Sequence, residues 1–83
     1  LFVFDRTQPV GFWMRNTLIP LDIIFIGSDG RIVNIAENTT PYSLEPVVSI
    51  APVTAVLELR GGLTAQLGIK AGDAATWEAR KGQ

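Results

Sequence analysis

The chain has 83 residues, 47% of them hydrophobic, and a net charge of -1 from 7 basic and 8 acidic side chains. That is one domain with enough apolar content for a packed core, and it excludes an intrinsically disordered chain. It contains no Cys and no His, which excludes disulfides, thiolate nucleophiles, Ser-His dyads and ordinary zinc sites.

No block of Lys and Arg appears, so a surface that tracks a phosphate backbone is not expected, and neither is a nucleic-acid partner. No run approaches the roughly 18 apolar residues of a membrane-spanning helix. A domain this small needs good packing or a partner to be stable. No cofactor is predicted and no metal site is assigned, although a hard metal held by oxygen ligands stays open in principle, as do a small-molecule ligand and a homo-oligomer.

Leu1-Phe2-Val3-Phe4 reads as the middle of a strand. With no initiator Met ahead of it, the expectation is a piece of a longer product, 1–83 being the larger, C-terminal part of one domain. Asp5 to Pro9 is polar and ends in proline, a loop. Phe12 to Met14 is a second short strand. Arg15 to Leu21, with Asn16-Thr17 and Pro20, predicts an irregular crossover.

Asp22–Gly27 and Arg31–Glu37 flank Ser28-Asp29-Gly30, the clearest hairpin in the chain. A two-residue turn at Asp29-Gly30 sets Asp22 opposite Glu37, like charge against like charge. A three-residue loop with Gly30 in a left-handed bulge position pairs Ile23 with Ile35 and Phe25 with Val33. Burial fixes register strongly, so the second is preferred. It places Asp22, Ile24 and Ile26 on one face with Ile32, Asn34 and Ala36. Both faces are then largely apolar, as in central strands covered on two sides.

Asn38 to Pro52 carries three prolines and no clean period, a long surface excursion. Ala55 to Arg60 alternates as a half-buried strand, with Ala55, Leu57 and Leu59 inward. Gly61-Gly62 precedes a short helix, Leu63 to Leu67, with Leu63 and Leu67 on one face and Gly68 as its stop. Ile69 to Asp73 is a turn, Ala74 to Ala79 a final strand containing Trp77, and Arg80 to Gln83 a polar tail.

Phe12-Trp13-Met14-Arg15-Asn16-Thr17 with Pro20-Leu21-Asp22 is a distinctive run. With Leu1-Phe2-Val3-Phe4, Asp29-Gly30-Arg31-Ile32-Val33, Glu37-Asn38, Pro52, Ala55-Val56-Leu57-Glu58-Leu59 and Gly68-Ile69-Lys70-Ala71-Gly72-Asp73, it resembles the bacterial and archaeal family called domain of unknown function 192. The resemblance runs in order over nearly the whole chain. It implies a small, mainly β protein, often made with an export signal and so periplasmic or extracellular. It implies a further segment before Leu1, whose strands would pair with those here and cover the Ile24/Ile26 face. Position 15 is often Lys in that family; Arg keeps the charge and changes the geometry. No catalytic residues carry over.

Candidate site residues each have an architectural alternative. Arg15 suits an anion or carboxylate clamp, and Asp22 a base or ligand acceptor. Equally, Asn16 and Thr17 bond their own loop while Asp22 satisfies backbone donors or pairs with Arg15. Trp13, Phe12 and Met14 could line a pocket, although such trios are more often core and strand alternation sends Trp13 away from the other two. Asn34 is expected to share a face with Asp22 and extend the polar patch. Glu37 could join Asp22 as a carboxylate couple in the other register. Asn38-Thr39-Thr40 fits a glycosylation acceptor, relevant only in a eukaryotic secretory pathway. Asp73 reads as a turn cap. Gly61-Gly62 reads as a place of close backbone approach, with anion holding as the weaker alternative.

The expected fold is mainly β, a small β-sandwich or partly closed barrel with one short α-helix. Two functional classes remain. One is a non-enzymatic exported ligand-binding or accessory domain using Trp13, Arg15, Asn16, Asp22 and Asn34. The other is a carboxylate-dependent, hydrolase-like enzyme using Asp22 and Glu37.

Overall fold

The computed structural model describes residues 1–12, 14, 18–43 and 46–76, with Phe12 described by its backbone alone. In chain order the elements are β1 (Phe2–Gln8), β2 (Gly11–Phe12), β3 (Leu21–Ile26), β4 (Ile32–Ala36), β5 (Val47–Val48), β6 (Val53–Arg60) and the helix α1 (Leu63–Leu67). Four strands form an antiparallel sheet in the order β1-β6-β3-β4, and β2 and β5 pair antiparallel as a small second sheet. The protein is therefore mainly β, and among the described residues there is one short helix and the main sheet is not closed into a barrel.

β3 is internal because its sequence leaves it no polar face. Ile23-Ile24-Phe25-Ile26 places bulk on both sides of the pleat, which only a strand flanked by strands and covered twice can bury. Ile23 and Phe25 join Met14, Val53 and Val56 in one buried cluster. Ile24 and Ile26 join Ile32 and Ala55 in another. Val10 and Val47, from the β2/β5 region, pack on the first cluster. Ile69 and Ala75, from the segment after α1, pack on the second. The Ile24/Ile26 face, expected to await strands from outside this chain, is thus buried by the chain's own residues, with Ile24 2% and Ile26 1% exposed.

The hairpin keeps the expected register only next to the loop and departs from it beyond. Ile23 pairs with Ala36, Ile24 with Ile35 and Phe25 with Asn34; a shift then pairs Ile26 with Ile32. Val33 is the extra residue, a β-bulge that joins two registers in one ladder. Next to the loop the pairing suits the tight connection, where Gly30 has φ +79 and Gly27 N–H donates to Arg31 O at 2.9 Å. Beyond the bulge the strand takes the register that leads toward Asp22 beside Glu37. Glu37 is exposed while Asp22 is buried, so the like-charge opposition that argued against this register does not arise.

Other expectations also need correction. Asp5 to Gln8 continues β1 and is not a loop. An outer strand with solvent on one side carries no burial pattern to reveal it, and the ladder to β6 is irregular between Val3 and Gln8. Val47–Val48, inside the expected excursion, is a strand paired to β2. Met14 lies after β2, not in it, and is buried at 2% exposure. The helix spans the expected residues, but its buried residue is Thr64, while Leu67 is 62% exposed. Of the expected last strand, Ala74 makes only an isolated bridge with Arg31, Ala75 and Thr76 are not in a strand, and Trp77 to Ala79 lie outside the described residues.

Candidate functional site

The polar centre of the molecule is Asp22, the second residue of β3. Its neighbours in β6 are Leu59 at Asp22 and Leu57 at Ile24, so its side chain projects to the second, Ile24/Ile26 side of the sheet. It has 0% exposure. A buried carboxylate must be heavily hydrogen-bonded to stay charged, and this one is. Oδ1 accepts the backbone N–H of Asn38 at 2.9 Å and of Gly62 at 3.1 Å. Oδ2 accepts the backbone N–H of Thr64 at 2.8 Å and the Thr64 hydroxyl at 2.7 Å.

Two bonds per oxygen use the full acceptor capacity of a carboxylate, about four lone-pair sites. Burial is the largest single influence on the Asp22 carboxyl and pushes its pKa upward. The Asn38 amide, the Thr64 hydroxyl and the Thr64 and Gly62 amides together outweigh it and hold the pKa at about 2, below the ordinary 3.8.

The arrangement arises from the local sequence. Gly62, at the N-cap of α1, has no side chain to cap the helix, so the first-turn N–H groups need an outside acceptor. Asp22 supplies it from β3. Gly61 allows the approach: a Cβ there would stand 2.7 Å from Asn38 Oδ1 and 3.0 Å from Pro20 Cβ. The glycine pair is therefore a place of close packing, and the anion that the Gly62 amide holds is the chain's own Asp22. Asn38 has φ +47, a left-handed conformation that Asn tolerates better than most residues. This turn aims its N–H at the carboxylate.

Thr39 extends the clasp. Its hydroxyl accepts Leu21 N–H at 3.1 Å, and its single O–H has Leu21 O at 3.0 Å and Met14 Sδ at 3.4 Å as alternative acceptors. Its own N–H donates to Leu21 O at 2.9 Å. Thr39 is 7% exposed and Thr64 is 0% exposed. Thr64 is not among the sequence candidates, and Thr39 enters there only within the Asn38-Thr39-Thr40 glycosylation pattern. The available hints are a Thr inside an otherwise apolar helix turn and a Thr two residues after Glu37; both fit ordinary surface positions equally well.

Asn34 does not share Asp22's face. It stands opposite Phe25, on the first side. There it donates from Nδ2 to Val48 O at 3.2 Å and accepts Ile50 N–H at Oδ1 at 3.1 Å. The bulge at Val33 is the cause, since one extra residue reverses the face of every later residue in the strand. Asn34 pins the β5 segment over the sheet, and Ser49 does the same at Val10, accepting its N–H at Oγ at 3.1 Å. Asp73 caps its turn by accepting Lys70 N–H at 2.9 Å. Trp13, Arg15, Asn16 and Thr17 lie outside the described residues. Among the described residues no group of three or more His, Cys, Asp or Glu side chains is placed to hold a metal.

The family model for domain of unknown function 192, described as Uncharacterized ACR, matches residues 1–77. The chain belongs to this family. A crystal structure of a protein of unknown function from Novosphingobium aromaticivorans DSM 12444 is 52% identical, with a TM-score of 0.87 over 90% of this chain and 54% of that one. A second, from Sinorhizobium meliloti 1021 and described as a candidate transcription regulator, is 47% identical, with a TM-score of 0.81 over 87% of this chain and 56% of that one. The chain thus spans little more than half the length of these solved relatives. No curated protein matches it. In this chain's Pro20-Leu21-Asp22 run, Asp22 is the clasp residue and Leu21 is the partner of Thr39.

Proposed function

We propose that this domain is a non-enzymatic, exported small-ligand-binding or accessory β domain. The observation that carries the reading is the state of Asp22. A general acid or base needs a pKa near the working pH and a free lone pair or proton aimed at substrate. Asp22 is sequestered, has four donors on its two oxygens, and holds its carboxyl at about 2. It builds the scaffold instead of meeting a substrate, and Glu37, its candidate catalytic partner, is on the surface. Asn34 is likewise engaged with the backbone of Val48 and Ile50. Ligand recognition therefore falls to Trp13, Arg15 and Asn16, between β2 and β3, with Arg15 as the anion-binding group. The exported location rests on the family resemblance.

The description of the Sinorhizobium relative belongs to that protein. A net charge of -1 with no basic block gives this chain little to offer a phosphate backbone.

A thermal-shift screen of sugars, peptides and inorganic and organic anions against wild type and Arg15→Ala tests the reading. A ligand that binds the folded state raises Tm, and the expected hit stabilises wild type and not the variant. No hit in any class sinks the small-ligand role. A hydrolytic turnover abolished by Asp22→Asn in a protein that remains folded overturns the non-enzymatic reading.

A further inference from the structure

We draw no further inference here: the strongest candidate, the outer edge of β1 with exposed Leu1 and Val3 beside a groove lined by Phe4, Asp5, Arg6 and Gln8, has no strand beside it among the described residues, and nothing in the structure shows what covers it.

Discussion

β3 and β1 belong to one sheet and both carry large apolar side chains, five of six residues in β3 and three of seven in β1, yet these live in opposite environments. From Asp22 to Ile26 every residue of β3 is buried. In β1 only Phe4 is even half-buried, and Phe2 and Val3 are 49% and 57% exposed. Hydrophobicity does not account for the exposure of Phe2 and Val3, which are as apolar as the residues of β3. Position in the sheet does: β3 has a strand on each side and a cluster on each face, whereas β1 has β6 on one side and no strand on the other among the described residues. The charged residues obey the same division. Asp5 lies in the exposed strand, while Asp22 lies in the buried one and gathers donors from two later segments. The same residue type is surface decoration in one strand and a structural hub in the other.

Substitutions can test how steep that contrast is. The largest effect is expected at Phe25, which is 0% exposed at the centre of the first cluster. Phe25→Ala should cost about 3–5 kcal/mol in urea unfolding. A loss below about 1 kcal/mol would mean that the β3 core does not carry the domain. Asp22→Asn comes next. It keeps the shape but turns an amide NH2 toward donors, leaving buried N–H groups unpaired, and should cost about 2–4 kcal/mol.

The same residue predicts an acid limb. The folded carboxyl has a pKa of about 2 against an ordinary 3.8, so the unfolded chain binds its proton first as pH falls. Asp22's contribution to stability is complete above about pH 4 and is lost between about pH 4 and pH 2. Unfolding midpoints measured across that window should drop in wild type and drop less in Asp22→Asn; parallel curves would remove Asp22 as the cause.

Thr64→Val removes one donor from Oδ2 and keeps the amide, for an expected loss of about 1.5–2 kcal/mol. Combined with Asp22→Asn it should be clearly non-additive, because the two residues share the bond. Additive losses would show that the hydroxyl contributes by packing alone. The smallest effect is expected in β1, where Val3→Thr on the exposed edge should stay within about 0.5 kcal/mol. A loss above about 1 kcal/mol would break the contrast between the two strands.

The clasp is only partly legible in the sequence. Asp22 stands out because a lone acid before an apolar run demands an explanation, and backbone donors are among the explanations available. Its donors cannot be named that way. Asn38, Gly62 and Thr64 lie 16, 40 and 42 residues away, and no local pattern announces that pairing. Asn34 shows the opposite failure. Period-two alternation puts it beside Asp22, and one extra residue at Val33 moves it to the other side.

By itself the sequence determined the mainly β character, the hairpin around Gly30, the span of α1 and its end at Gly68, and the family. Each depends on residues close together in the chain: apolar alternation, turn chemistry, a glycine stop, a contiguous motif. Only the tertiary structure decided the bulge, the strand identity of Asp5–Gln8 and Val47–Val48, the inward turn of Thr64, and the role of Asp22. Those depend on which distant segment arrives alongside. The bulge joins the register set by the tight loop at Gly30 to the register of the rest of the strand, a step that neither end encodes alone.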